Sequence, residues 1–213
     1  EPFPVFGVPL QTLMKEEYEI FPNIPVPRVV RQTMSDIITR AICLEGVFRM
    51  AGQANRCSEL RSQIDQMTTI CFSRDENPHN ITSILKQWLR GLPEPVLLFE
   101  NFRKIISLGG ESLENQISGF REILDALPRE NFHLVRQMFR MMYLVGKNSE
   151  TNRMDDSNVA KVIGPNMAYA PANENENPME TLHNVNFVND FFSSLVGSFP
   201  VLFEDGVDLF EVD

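Results

Sequence analysis

The segment from Asn77 to Pro95 constrains the fold most strongly. Ile81, Ile84, Leu85, Trp88, Leu89 and Leu92 recur at offsets 3, 4, 7, 8 and 11, which places them on one face of an α-helix. Asn77 carries a side-chain oxygen suited to capping the first turn, and Pro78 suits the first helical position. Pro93 and Pro95 end the helix, because a proline ring clashes with the preceding turn and its nitrogen donates no hydrogen bond. An apolar face this complete needs a partner surface. The rest of the chain offers helices for it, since no strand-like alternation runs far enough to build a sheet.

Residues 1–25 hold Pro2, Pro4, Pro9, Pro22 and Pro25 and read as a mostly extended lead-in packed on the domain. From Pro27 an apolar face appears at Val30, Met34, Ile37, Ile38 and Ala41, and a further helix is expected over Gln53–Gln66 with Leu60 and Ile64 inward. Helices are also predicted at about 99–107, 112–127, 131–147, 156–163 and 180–198, with Val135, Met138, Phe139, Met142 and Val145 as one buried face. Asp155 and Asp156 lie where a helix N-terminus favours negative charge. The expectation is an all-α, single-domain bundle of about eight to nine helices over residues 26–200, with no internal repeat. A polar connection spans Asn173 to Pro178, and residues 201–213 form an acidic C-terminal tail. That tail is expected to be solvated, although Leu209 and Phe210 give it a second option of docking on the body.

Charge narrows the partners. The chain has 19 Lys and Arg against 29 Asp and Glu, a net charge of −10, of which residues 204–213 supply half. This argues against nucleic acid as the main partner and against broad adhesion to acidic membranes. Cys43, Cys57 and Cys71 are odd in number and lack metal-ligand spacing, so they read as reduced thiols of an intracellular protein. His79, His133 and His183 are too scattered for a metal site. No apolar run reaches the length of a transmembrane helix, and the first residues show no signal-peptide pattern. The absence of a starting Met leads us to expect a longer parent protein. Asn80-Ile81-Thr82 matches the glycosylation pattern, a match without meaning in a cytosolic chain.

The chain has neither a phosphate-binding G-x-x-x-x-G-K-[ST] loop nor a G-x-S-x-G nucleophile turn. It therefore reads as unable to bind or hydrolyse a nucleotide on its own. Three features remain. Leu44-Glu45-Gly46-Val47-Phe48-Arg49-Met50-Ala51-Gly52 lies between two predicted helices, with Val47, Phe48 and Met50 apolar enough to pin it to the core. Such a loop either leaves Arg49 simply solvated or presents it rigidly, and a planar guanidinium suits phosphate oxygens. Lys86 and Arg90 sit one turn apart on the face opposite the apolar stripe, either as a solvated polar face or as a pair of cations for an acidic partner. In Val162-Ile163-Gly164-Pro165-Asn166 a helix is expected to stop at Gly-Pro, and Asn166 either closes its own turn or offers an amide outward. Asn152 and Asn158 read as structural, capping or bridging backbone groups.

Taken in order, these segments resemble the Rho GTPase-activating domain family, from Phe6-Gly7-Val8-Pro9-Leu10 to about residue 200. Glu45-Gly46-Val47-Phe48-Arg49-Met50-Ala51-Gly52 is similar to that family's E-G-[IV]-F-R-x-S-G loop, and Leu85-Lys86-Gln87-Trp88-Leu89-Arg90-Gly91-Leu92-Pro93-Glu94-Pro95 to its L-K-x-[FY]-L-R-E-L-P-E-P helix end. Asn152-Arg153-Met154, Asn158-Val159-Ala160 and Gly164-Pro165-Asn166 resemble its N-K-M, N-L-A and G-P-N elements. The departures are Ala51 for Ser, Gly91 for Glu and Arg153 for Lys, and Gly91 bears on affinity or partner choice through the helix end near Arg90.

The resemblance implies an all-helical GTPase activator. Arg49 would be its catalytic arginine finger, and Lys86, Arg90 and Asn166 would contact the GTPase. The implied partner is a Rho-, Rac- or Cdc42-like small GTPase in its GTP-bound state. GTP and Mg²⁺ would belong to that partner, with no cofactor or metal of the chain's own. The expected location is the cytoplasm, with recruitment to membranes through the GTPase. Two other readings stay open on sequence grounds: a catalytically silent domain of the same fold that only binds small GTPases or other signalling proteins, and an unrelated helical adaptor.

Overall fold

Helix α4 (Pro78–Arg90) packs against three other helices. Its stripe is buried as the spacing requires: Ile81, Ile84, Leu85, Trp88 and Leu89 are all 0% exposed. The Asn77 side chain accepts the His79 N–H at 2.9 Å and caps the first turn. Burying the two isoleucines and two leucines contributes about 6–12 kcal/mol before chain entropy is charged against it, so the stripe and not helix propensity holds α4 in place.

The computed structural model describes residues 3–66, 70–171 and 178–203. Before α4 come α1 (Leu10–Tyr18), α2 (Arg28–Arg40) and α3 (Ala54–Gln66). After it come a 3-10 turn (Phe99–Asn101), α5 (Phe102–Leu108), α6 (Leu113–Ala126), α7 (Arg129–Lys147), α8 (Ser149–Asn152), α9 (Asp156–Met167), α10 (Pro178–Val196) and α11 (Phe199–Leu202). Among the described residues there is no strand, so the all-α single-domain bundle stands. Helix α4 packs against α2, α3 and α9, and α10 packs against α9, α5, α6 and α7. Phenylalanines fill the second contact, with Phe120 and Phe139 rings 5.1 Å apart, Phe120 and Phe191 5.3 Å apart, and Phe139 and Phe192 5.6 Å apart. Gly164 allows α9 its close approach to α10, since a Cβ there would lie 2.6 Å from the Phe192 ring.

Two expectations need correction. The lead-in is not mainly extended, because Leu10–Tyr18 form α1. Pro9 precedes that helix rather than blocking it, and Leu10, Leu13, Met14 and Glu17 repeat as a buried face that packs on α7. The extended part is pinned: the Val5 carbonyl accepts the Trp88 indole N–H at 3.0 Å, and the Val5 and Phe6 N–H groups donate to Asp65 at 2.6 and 3.1 Å. The second correction concerns α9, which does not stop at Gly164-Pro165 but continues to Met167 with Pro165 inside its last turn. Proline there forfeits only one backbone bond, and the Asn166 amide donates to the Val162 carbonyl at 2.8 Å in the same turn.

Leu202 and Phe203 are buried, so the body extends to them. Residues 204–213 of the predicted tail, including Leu209 and Phe210, and most of the predicted polar connection lie outside the described residues.

Candidate functional site

The loop joining α2 to α3 is fastened at three levels. At its base the Gly46 N–H donates to the main-chain carbonyl of Asn152 at 2.8 Å. The Asn152 side chain is fully buried, donating to the Ile42 and Val145 carbonyls at 2.8 Å each and accepting the Met154 N–H at 2.7 Å. One asparagine therefore ties the end of α2, the end of α7 and the loop together.

In the middle, Gly46 and Phe48 both take the left-handed backbone conformation, with φ of 68° and 65°. For Phe48 that conformation costs on the order of 1–3 kcal/mol. Its ring is 0% exposed, as is Val47, and its carbonyl accepts a hydrogen bond from the Lys86 ammonium. Burial and the ammonium hold the strained residue in place. At the exit, the Gly52 N–H donates to the Ser83 hydroxyl and the Gln53 N–H to the Asn80 side chain, both at 2.8 Å. A Cβ on Gly52 would lie 2.6 Å from the Asn80 side-chain oxygen and 2.8 Å from its Cα, so the loop can press on α4 only with glycine there.

What this scaffold leaves outside is Arg49. The residue is exposed, its N–H bonds the Gly46 carbonyl at 2.9 Å, and its guanidinium has no partner among the described residues. Met50 beside it is 50% exposed, so an apolar side chain flanks the cation.

Along α4, Lys86 is half-buried, and burial, with Arg90 one turn away, pushes its ammonium below the usual lysine range. Arg90 is exposed at the helix end, and its Nε donates to the Asn166 carbonyl oxygen at 3.0 Å. Asn166 itself is 1% exposed, with its amide turned onto Val162. The four candidate residues thus form one connected set: Asn166 orients Arg90, Arg90 neighbours Lys86, and Lys86 steadies the backbone that carries Arg49. Asn166 sits behind Arg90 in this set, with both ends of its side chain engaged inside the protein.

The loop exit has a titratable support. Glu76 accepts the Asn80 amide at 2.7 Å and the Arg56 guanidinium at 2.9 and 2.7 Å. Burial raises its carboxyl, but the Arg56 and Asn80 hydrogen bonds outweigh burial and hold it below the usual carboxylate range. Because the folded state depresses this pKa, the stabilisation is present above about pH 4.5 and is lost as pH falls through the folded value. Glu76→Gln is expected to lower stability at pH 7 by about 1–3 kcal/mol, and the gap to the wild type should shrink towards pH 3. Thermal melts across that range check this; a gap that widens on acidification would contradict it.

Against this geometry the comparisons with known proteins are decisive. A sequence model described as the RhoGAP domain matches residues 27–172, more than half of the chain, and that span includes Arg49, Lys86, Arg90 and Asn166. The chain belongs to the RhoGAP domain family. It is 28% identical to human Rho GTPase-activating protein 1 over 191 residues, covering 90% of this chain and 42% of that protein. It is 28% identical to mouse Rho GTPase-activating protein 25 over 207 residues, covering 96% and 31% respectively. The chain thus spans less than half the length of these curated relatives. The crystal structure of human Rho GTPase activating protein 15 shares the fold at a TM-score of 0.82 and 22% identity, over 93% of this chain and 92% of that one. The BH domain from GRAF shares it at 0.72 and 24% identity, over 83% and 93%.

Several supports of this RhoGAP site escaped the sequence reading. Asn80, Thr82 and Ser83 are polar yet 1%, 0% and 8% exposed on the first turns of α4. Ser83 shares the polar face of Lys86 and Arg90, and Asn80 and Thr82 flank the apolar stripe, so helical period alone did not mark them as buried groups that require partners. Glu76 and Arg56 left no trace either. Among the described residues the RhoGAP domain has no group of three His, Cys, Asp or Glu able to hold a metal, and no helix long and apolar enough to cross a membrane. Its three cysteines are free.

Proposed function

We propose that this domain stimulates GTP hydrolysis by a Rho-family small GTPase, placing Arg49 in the partner's nucleotide site. The observation that carries the reading is the exposed Arg49 guanidinium, without a partner among the described residues, on a loop pinned at base, middle and exit. Phosphoryl transfer is limited by charge on the phosphate oxygens, and an added guanidinium stabilises that charge when it arrives already oriented. A loop that holds the finger rigid avoids the entropy cost of ordering it in the transition state. GTP and Mg²⁺ remain the partner's. Met50 is exposed beside the finger and Arg90 is exposed at the end of α4, and both would meet the GTPase surface, while Asn166 would act by orienting Arg90. Action in the cytoplasm, at membranes through the bound GTPase, follows from this reading.

Lys86 is then a positioning residue as well as a cation for the partner. Lys86→Met keeps the stem and removes the bond to the Phe48 carbonyl. The stimulated single-turnover rate at saturating domain should fall about 10-fold, as expected for losing a hydrogen bond to a charged group. An unchanged rate at saturation, with only binding weakened, would mean that Lys86 does not steady the loop.

The test of the function itself is single-turnover GTP hydrolysis by Rho-, Rac- and Cdc42-like proteins with and without the domain. Acceleration of at least one supports the reading. Binding without acceleration of any would leave a silent domain and refute it.

A further inference from the structure

The outer face of α7 is unlike the rest of this acidic chain. At about 100° per residue, Arg129, His133, Arg136, Arg140 and Lys147 fall within a sector of about 60°. They make a ridge about 27 Å long on the side of α7 turned away from its buried face, which carries Leu134, Val135, Met138, Met142 and Val145. No carboxylate lies in that sector of α7. Glu130, the one acidic residue of the helix, lies about 60° beyond the edge of that sector and accepts the Tyr18 hydroxyl at 2.8 Å. His133 registers the local field: burial lowers its pKa, and Arg129 and Arg136 lower it further.

The chain returns to this ridge at its far end. Helix α11 packs on α7, with the Phe199 ring 5.6 Å from Tyr143. The Phe203 ring lies 6.1 Å from both Phe132 and Phe139, which sit beside the ridge on the Arg136 side. The next residue is Glu204, and residues 204–213 carry Glu204, Asp205, Asp208, Glu211 and Asp213 with no basic residue. Ten residues reach about 33 Å when extended, enough to run the length of the ridge.

We propose that the basic ridge of α7 is the docking face for the acidic segment Glu204–Asp213 of the same chain. Two observations set this occupant above others: the segment follows directly on Phe203, whose ring lies beside the ridge, and its carboxylates complement the ridge's cations. Each exposed ion pair contributes little, but the tether supplies an effective concentration of about millimolar, so an intrinsic affinity in the range of 100 μM keeps the segment mostly docked.

The test compares the chain 1–213 with a chain ended at Phe203. Removal of the segment should shift the amide resonances of α7 between Arg129 and Lys147 more than any others. A labelled peptide of residues 204–213 should bind the shortened chain, several-fold more weakly at about 300 mM than at about 50 mM salt. The exposed pair Arg129→Glu/Lys147→Glu should weaken binding at least tenfold while the domain stays folded by circular dichroism. Arg136→Glu/Arg140→Glu should do the same. Shifts that fall outside α7, or peptide binding indifferent to both charge reversals, would overturn the proposal. So would equal binding of phosphatidylserine vesicles to both chain lengths, lost in the charge-reversed variants, because the ridge would then be an open membrane-facing surface.

Discussion

Arg49→Ala is expected to reduce stimulated GTP hydrolysis by about 10³-fold or more while changing affinity for the GTP-bound partner by less than about threefold. The asymmetry follows from where the charge develops. On the proposed function, the GTPase and its Mg²⁺ would already hold the phosphate oxygens in the ground state, so a finger would add little there. In the transition state the charge would redistribute toward the position proposed for the guanidinium, and its contribution would appear there. The protein's own structure should hardly notice the change, since the Arg49 side chain is exposed and contacts no partner among the described residues. A melting temperature within a degree or so of the wild type would accompany the loss of rate. Loss of binding equal to loss of rate would instead make Arg49 a docking residue.

Asn152→Ala should produce the largest loss of stability, about 3–5 kcal/mol. The amide is fully buried and satisfies the Ile42 and Val145 carbonyls and the Met154 N–H. Its removal leaves three buried backbone groups unpaired at about 1–3 kcal/mol each, with some recovered by relaxation. In a domain of this size that corresponds to a fall of about 10–15 °C in melting temperature. The Gly46 bond runs to the main chain of Asn152 and survives the substitution, so the folded fraction should keep its stimulated rate to within several-fold. Denaturant unfolding with matched kinetics separates the two effects. A loss below about 1 kcal/mol would show that the three groups find other partners.

The bundle was legible because the apolar residues of α2, α4 and α7 repeat with helical period over many turns, and burial enforces that period. Helix α1 was not, because five prolines in 25 residues resemble an extended segment when the decisive contacts, such as those of Leu13 and Met14 with the body, are tertiary. The same limit applied at Pro165: proline breaks helices in general, but in a last turn it removes one bond, and α9 continued. At the site, motif order pointed to Arg49, Lys86, Arg90 and Asn166, and the structure joins them in one set. Sequence did not tell which of them face outward. The burial of Asn166 behind Arg90 depends on how α9 lies against α4, a relation between segments 76 residues apart. Sequence did read Asn152 as bridging backbone groups, as it does, but not that it fastens this loop together with Asn80 and Ser83, since hydrogen bonds between distant segments have no periodic signature.

Arg49→Lys, assayed in single turnover beside its binding affinity, tests the finger most directly. Lysine keeps the charge but replaces the planar fork with a point donor on a stem that lacks its geometry. The expected result is a rate close to that of Arg49→Ala with affinity retained; full acceleration by the lysine variant would contradict the role assigned to Arg49.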